Sequence, residues 1–213
     1  LQKTGSFKVR GAYNKIAAVA RQSEAIPMLF ASSAGNHAQG VAYAARAMGA
    51  KSTIVMPRTT PIAKVSATES YGATVVLAGD CYDEAYAHAK QLCDEQGGCF
   101  IHPFDDPDVI AGQGTISLEI LQALPTVDAI LVPVGGGGLL AGMAACVKQI
   151  NPRVRVIGVQ ASGADAMVQS FCTKRDVCTD AVSTIADGIA VKKPGVLSSQ
   201  LIREHVDEMV TVT

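Results

Sequence analysis

Four consecutive glycines, Gly135 to Gly138, lie between the apolar run 129–134 and the helix-like stretch 139–150. Glycine permits positive φ and lets backbone N–H groups approach a bound group closely. The start of a helix adds unpaired N–H donors and the positive end of its dipole. Four glycines in a row are also costly to order. The run therefore predicts a phosphate-binding loop rather than an ordinary flexible turn.

The common nucleotide-binding motifs do not fit this glycine run. A P-loop ends in Lys-Ser or Lys-Thr, whereas Leu139 and Leu140 follow here. A dinucleotide-binding loop needs the G-x-G-x-x-G spacing and an acidic residue at the end of the next strand. The next apolar run, 154–159, ends at Gln160 instead. The sequence therefore indicates a phosphorylated cofactor of another class.

A lysine with apolar neighbours provides a second candidate for chemistry. Lys8 lies between Phe7 and Val9 in the block TGSFKVRGA. Most lysines are solvated surface residues, and Lys8 alone would be interpreted as one of them. Apolar flanks favour partial desolvation, which lowers the pKa of the amine and frees it to form a Schiff base with a carbonyl group.

The third block, SSAGNHAQG at residues 32–40, follows the short apolar run 28–31 and opens a predicted helix. A turn of small residues at a helix N-terminus can bind a carboxylate through backbone N–H groups and hydroxyls. The same pattern is also typical of an ordinary helix N-cap. Taken alone, this block leaves both interpretations open.

Together the blocks resemble the serine/threonine dehydratase group of fold-type II pyridoxal-phosphate enzymes, which includes serine racemase. Five motifs stand in the family's order over nearly the whole chain: SFKVRGA, SSAGNHAQG, PFDDPDVIAGQGT, VPVGGGGLLAG and TIADGIAV. The resemblance implies that Lys8, beside Phe7, carries pyridoxal 5'-phosphate covalently, and that Asn36 binds its pyridine 3-oxygen. The residues that it implies for the cofactor phosphate are Gly135, Gly136, Gly137, Gly138 and the amide of Leu139.

The resemblance also implies an activity, the β-elimination of L-threonine or L-serine to a 2-oxo acid and ammonia. The resemblance assigns to Lys8 the removal of the α-proton as general base. The substrate carboxylate is expected in the turn, chiefly on backbone N–H groups, at Ser33, Gly35, Asn36 and His37. Two alternatives stay open, a serine racemase-like enzyme and a non-catalytic fragment that binds the cofactor. A plain Rossmann-like nucleotide binder is a further, weaker hypothesis.

Three positions distinguish this chain from relatives of other types. Serine racemases place a serine immediately before the glycine of the asparagine loop, and Ala34 stands there in this chain. A methyl group cannot carry a proton, so elimination is favoured over racemisation. Metal-dependent relatives have carboxylates where this chain has Gln160 and Ala166, so we expect no metal at that site.

The fold class implied by the resemblance is α/β, of fold type II, with parallel-rich sheets, helices on both faces and a small domain inserted into a large one. The match assigns residues 28–105 to the small domain and residues 1–27 and 106–213 to the large, cofactor-binding domain. Short β-branched runs between helical stretches independently favour parallel strands. These runs lie at 28–31, 52–56, 74–77, 129–134, 154–159 and 209–212.

The chain is expected to be truncated at both ends. It begins with Leu1 at the lysine motif, whereas family members carry strands before this point and continue past Thr213. The partner of the pyridine nitrogen is expected outside these residues. Some relatives bind an adenine nucleotide near positions matching Lys3, Thr4, Gln39 and Tyr71. Phe104 replaces an expected polar residue there, which weakens the case for a nucleotide effector.

Composition narrows the classes of protein to which the chain can belong. The chain has 213 residues, of which 48% are hydrophobic and 17% charged, with a formal net charge of −1. These values predict an ordinary globular protein and disfavour nucleic-acid binding. No run predicts a membrane span or a signal peptide. Six cysteines without C-x-x-C pairs indicate reduced thiols in the cytoplasm. The resemblance implies a small-molecule amino-acid substrate and a homo-oligomer, either a dimer or a tetramer.

Overall fold

The computed structural model describes residues 3–213, and its internal contacts divide the chain into two compact units. The first unit ends at Pro103 and the second begins at Phe104. In each unit strands alternate with helices, and every strand pair among the described residues is parallel. The predicted α/β class with parallel sheets is confirmed.

The first unit contains a four-stranded sheet in the order β3-β2-β1-β4. Leu29 pairs with Ser52 on one side of β1 and with Cys99 on the other, which makes β1 a central strand. All four residues of β1 are buried. The elements are α1 (Lys8–Gln22), β1 (Leu29–Ser32), α2 (Asn36–Ala47), β2 (Ser52–Met56), α3 (Ile62–Ser70), β3 (Thr74–Leu77), α4 (Tyr82–Glu95) and β4 (Cys99–Phe100).

The second unit contains a three-stranded sheet in the order β5-β6-β7. Its core includes the fully buried Leu140 from a helix and Val156 from the central strand. The elements are α5 (Pro107–Ala123), β5 (Ala129–Pro133), α6 (Gly138–Ile150), β6 (Arg155–Ala161), α7 (Ala166–Thr173), α8 (Val196–His205) and β7 (Glu208–Val212). Short 3-10 turns lie at Ser162–Ala164 and Asp187–Ile189.

The six predicted strands are all present; two have the predicted bounds, and the bounds of the other four differ by one or two residues. The prediction from sequence missed β4, which has only two residues. The predicted end of β6 before Gln160 was wrong, because the strand continues to Ala161 and buries this side chain completely. The buried Gln160 Oε1 accepts a hydrogen bond from the Val168 N–H at 3.0 Å, whereas its Nε2 has no partner within residues 3–213.

Glycines allow two pairs of helices to touch at the backbone. A Cβ atom added to Gly40 of α2 would lie 3.0 Å from the Lys8 carbonyl carbon and the Val9 nitrogen of α1. A Cβ atom added to Gly142 of α6 would collide with the Ile110 carbonyl of α5 and lie 2.9 Å from the Gly114 nitrogen. These close approaches fix the start of α1 against α2 and hold α5 against α6.

The helices from residue 3 onward include none with the length and apolar character that crossing a bilayer requires. The six cysteines are thiols.

Candidate functional site

Lys8 is the first residue of α1, and its amine lies in a partly buried environment. Its backbone N–H donates to Ser6 Oγ at 3.1 Å, which satisfies one donor of the helix start. The Nζ atom donates to the Pro103 carbonyl oxygen at 2.7 Å and lies 5.5 Å from the centre of the Phe7 ring. Burial lowers the pKa of the Lys8 amine from 10.5 to about 8. A neutral, nucleophilic amine is therefore accessible near physiological pH.

The turn at Ser33–Asn36 leaves the start of α2 without a side-chain cap. Ser33 Oγ accepts the Gly35 N–H at 3.1 Å, inside the turn, and no side chain caps the helix at Gly35. The N–H groups of Asn36 and His37 have no acceptor in the part of the chain that the structure describes. The helix start therefore offers unpaired donors to an anion, which an ordinary side-chain N-cap would have occupied.

His37 is a buried, neutral histidine. It is 3% exposed, and its Nε2 lies 2.9 Å from the Ile101 carbonyl oxygen. A carbonyl only accepts, so Nε2 carries the proton. Nδ1 is left without a partner among residues 3–213. Burial and the nearby Lys8 charge lower the pKa of His37 to about 3. His37 therefore contributes its backbone N–H rather than an acid–base side chain at neutral pH.

The first unit brings the lysine and the turn together. Gly40 places α2 against the backbone of Lys8, and the charge of Lys8 reaches His37. The carbonyls of Ile101 and Pro103 accept from His37 and Lys8 respectively. The sequence did not predict these two acceptors, because a backbone carbonyl leaves no trace in residue type.

The glycine run forms the predicted junction between β5 and α6. Gly137 has φ +99°, a left-handed conformation that favours glycine, and its carbonyl accepts the Ala141 N–H at 2.8 Å. Within the described residues, the N–H groups of Gly136, Gly137, Gly138 and Leu139 have no acceptor. The three glycines among them are buried. Buried, unpaired donors at the start of a 13-residue helix suit a phosphate dianion.

Each glycine of the run also lies close to residues outside the run. Phe104 lies directly against the loop, which the sequence did not predict. An added Cβ atom would lie 3.0 Å from Ile189 Cα at Gly135, 2.5 Å from the Phe104 ring at Gly136, 2.5 Å from Met167 Cε at Gly137 and 2.5 Å from the Phe104 carbonyl oxygen at Gly138. The glycine run therefore reflects close packing as well as the row of available donors.

The structure also describes the positions that the sequence analysis considered for racemisation, metal binding and a nucleotide effector. Ala34 precedes Gly35 in the turn before α2. Ala166 is the buried first residue of α7. Of the positions considered for a nucleotide effector, Tyr71 donates its hydroxyl to the Lys3 carbonyl oxygen at 3.4 Å, and Thr4 is buried with an unpaired Oγ within residues 3–213.

The chain is similar to known proteins along its whole length. The sequence profile of the family described as "Pyridoxal-phosphate dependent enzyme" matches residues 1–213. An L-threonine ammonia-lyase of Thermotoga maritima is 52% identical over 212 residues, which are 100% of this chain and 53% of that protein. A catabolic L-threonine dehydratase of Escherichia coli is 46% identical over 213 residues, 100% of this chain and 64% of that protein.

Solved structures show the same relationship. Threonine deaminase isoform 2 from Solanum lycopersicum has a TM-score of 0.96 and 45% identity, with 100% of this chain and 58% of that chain covered. Maize serine racemase has a TM-score of 0.93 and 36% identity, with 99% and 63% covered. The chain thus spans between about half and two thirds of the length of these relatives.

Proposed function

Because the chain belongs to the family of pyridoxal-phosphate dependent enzymes, we propose that it carries out the β-elimination of L-threonine or L-serine to a 2-oxo acid and ammonia. The observation that carries the proposal is the Lys8 amine, with its pKa of about 8. The backbone of Lys8 packs against Gly40 of α2, the helix that begins with the unpaired N–H donors, and the charge of Lys8 acts on His37 of that helix. Identities of 46–53% with threonine ammonia-lyases and dehydratases, over the whole chain, support the same reaction.

The residues fit pyridoxal 5'-phosphate on chemical grounds. The unpaired N–H groups from Gly136 to Leu139 suit its phosphate, with Gly135 completing the loop, and the Lys8 amine suits its aldehyde. Phe7 shields the amine from one side. Asn36 is exposed and its side chain makes no hydrogen bond within the described chain, so it is available to the pyridine 3-oxygen. When bound, the cofactor supplies an electron-withdrawing ring that stabilises negative charge at the substrate Cα.

Lys8 and its surroundings carry out the proton transfer. Neutral Lys8 accepts the proton that leaves the substrate Cα, acting as general base. The Pro103 carbonyl accepts a hydrogen bond from the resulting ammonium group, which keeps the proton near the reacting atoms. The buried position of the amine keeps water away from it and helps to hold its pKa near the working pH.

The turn before α2 is proposed to hold the substrate carboxylate. The N–H groups of Asn36 and His37 are its donors, together with the Ser33 hydroxyl proton. Ser33 Oγ already accepts the Gly35 N–H, so Gly35 supports the shape of the turn. Fixing the carboxylate orients the Cα–H bond toward Lys8, and such orientation contributes a large share of catalysis.

Ala34 favours elimination over racemisation. Inversion at Cα needs a second group that returns a proton from the opposite side, and a methyl group cannot supply one. A serine racemase-like activity is the second candidate, supported by the similarity to maize serine racemase. A fragment that binds the cofactor without turning over substrate is the third.

We propose that no divalent cation binds at Gln160 and Ala166. The Gln160 side-chain oxygen already accepts the Val168 N–H, and Ala166 offers no side-chain oxygen ligand. Hard cations take several oxygen ligands, with carboxylates foremost among them.

The wider setting follows from the family resemblance and is likewise a proposal. We assign residues 28–105 to a small domain inserted into a large domain of residues 1–27 and 106–213. The protein is a cytoplasmic homo-oligomer, dimeric or tetrameric, that acts on a free amino acid. A nucleotide effector near Lys3 and Tyr71, which are joined by a hydrogen bond, rests on the resemblance alone.

The test is the product formed from each L-amino acid. Supplied with pyridoxal 5'-phosphate, the protein should convert L-threonine or L-serine to the 2-oxo acid and ammonia in equal amounts, with less than about a tenth as much D-isomer by chiral chromatography. The Lys8→Ala variant should lose the visible absorbance of the bound cofactor and nearly all turnover. D-serine formed as fast as pyruvate would identify a racemase. Bound cofactor without turnover would identify a non-catalytic fragment.

A further inference from the structure

Asp105 caps a helix that is not its own. Its Oδ2 accepts the Val196 N–H at 2.9 Å, and its Oδ1 accepts the Ser198 N–H at 2.9 Å and the Ser198 hydroxyl at 3.1 Å. These are donors at the start of α8, whose own cap residue, Gly195, has no side chain. An added Cβ atom at Gly195 would collide with the Asp105 carboxylate, so the glycine is needed for this contact.

The capped end of α8 packs directly on the glycine run. The Gly195 N–H donates to the Gly136 carbonyl oxygen at 3.1 Å. An added Cβ atom at Gly137 would lie 2.9 Å from Ser198 Cβ. Asp105, the start of α8 and the middle of the glycine run therefore form one continuous set of contacts within the second unit.

The hydrogen bond between Gly195 and Gly136 orients an N–H group that could donate to a phosphate. The Gly136 carbonyl and the Gly137 N–H belong to one planar trans peptide, so they point in opposite directions. Because the carbonyl is held toward Gly195, the Gly137 N–H points away from α8. That N–H is one of the unpaired donors at the start of α6.

We propose that Asp105 is a positioning residue for the phosphate-binding loop. This inference rests on the proposed function, because it assumes that the glycine run binds the cofactor phosphate. By pairing the first donors of α8, Asp105 fixes that helix end against the loop, and the bond from Gly195 then fixes the Gly136–Gly137 peptide. Asp105 also occupies donors of α8 that would otherwise compete for an anion. It does not touch the cofactor itself.

The adjacent residue provides a matched control. Asp106 caps its own helix, α5, where its Oδ1 accepts the Asp108 N–H at 2.9 Å and the Val109 N–H at 3.1 Å. Asp105→Ala and Asp106→Ala therefore each remove a carboxylate that caps a helix. Of these two caps, the one made by Asp105 holds the helix end that is bonded to the glycine run.

The experiment compares the dissociation constants of pyridoxal 5'-phosphate and pyridoxal, measured by absorbance on the cofactor-free full chain. Both ligands carry the aldehyde, and only the first carries the phosphate. The preference for the phosphorylated form should fall by about tenfold or more in Asp105→Ala. It should fall less in Asp105→Asn, which keeps one acceptor, and stay within about twofold of the original in Asp106→Ala.

The outcomes separate the two proposals. An equal loss of affinity for both ligands in Asp105→Ala, or an unchanged preference for the phosphorylated ligand, would show that Asp105 has only a structural role. An unmodified protein without preference for the phosphorylated ligand would overturn the phosphate site and this inference together. If Asp105→Ala does not fold, Asp105→Asn and Ser198→Ala decide the question, and an unchanged preference in both would overturn the inference.

Discussion

At the scale of single residues, the Lys8 amine is subject to two opposing influences. Burial disfavours the ammonium form, whereas the hydrogen bond from Nζ to the Pro103 carbonyl favours it. Burial is the stronger influence, since the pKa falls from 10.5 to about 8. The amine is thus substantially neutral at a pH where an ordinary lysine is almost entirely protonated.

The pH dependence of acylation at Lys8 should reveal this shift. Only the neutral amine attacks, and its fraction rises with pH through the pKa. In the cofactor-free protein, the rate at Lys8 should reach half its maximum near pH 8, as measured by peptide mass spectrometry after brief treatment with acetic anhydride. The Lys8→Arg variant serves as control and should lack this labelling. A rate that climbs only above pH 10 would contradict the burial.

The chemical character of a side chain could be predicted from the sequence where it depends on the residues next to it in the chain. The apolar flanks of Lys8 indicated a desolvated amine, and a lowered pKa is present. The acceptors at Ile101 and Pro103, and the Phe104 ring against Gly136, were not predictable, because contacts between distant segments have no local signature.

At the scale of elements, α5 and α6 meet where Gly142 faces Ile110 and Gly114. An added methyl group at Gly142 meets backbone atoms rather than a flexible side chain, so relief requires a shift of the helices. Gly142→Ala should lower the free energy of unfolding by about 1–3 kcal/mol, measured by urea denaturation. Gly188→Ala is the control and should change it by less than ~0.5 kcal/mol, because no atom lies within 4 Å of its added Cβ. Equal stability of the two variants would contradict the packing.

Strands were predictable as elements because β-branched runs between helical stretches are a local pattern. Failures occurred where tertiary contacts override that pattern. β4 exists because Cys99 and Phe100 pair with the side of β1 that β2 leaves free. β6 continues through Gln160, whose buried side-chain oxygen accepts a helix N–H from a distant segment. The sheet orders likewise depend on pairings between distant segments.

At the scale of the whole chain, Asp207 connects three parts of the second unit. Its carboxylate accepts the Lys148 amine of α6 at 2.7 Å and the Val156 N–H of β6 at 2.7 Å, immediately before β7. Burial raises the pKa of Asp207, but these hydrogen bonds and the nearby cations outweigh burial and lower it below the ordinary 3.8. The carboxylate therefore contributes stability above about pH 4.

The resulting acid sensitivity can be measured. As pH falls below about 4 toward the folded-state pKa, protonation removes the contribution of Asp207. Asp207→Asn should lower the free energy of unfolding by about 1 kcal/mol at pH 7, as measured by urea denaturation. The variant should also lose less of its free energy of unfolding between pH 4 and pH 2 than the unmodified protein does. Glu208→Gln, in the exposed pair with Arg155, is the control and should have a smaller effect at pH 7. An acid profile unchanged by Asp207→Asn would contradict this role.

The exclusively parallel pairing among residues 3–213 also has a kinetic consequence. Parallel neighbours cannot be joined by a tight hairpin, so each ladder forms only after a long stretch of chain has closed, as between Leu29 and Cys99. Domains dominated by such distant pairings fold in about milliseconds to seconds, far more slowly than helical bundles of similar stability. During synthesis, the apolar β1 emerges well before its partner β4. During this interval an apolar strand lacks one of its partners, so aggregation can compete with folding while the chain is still being made.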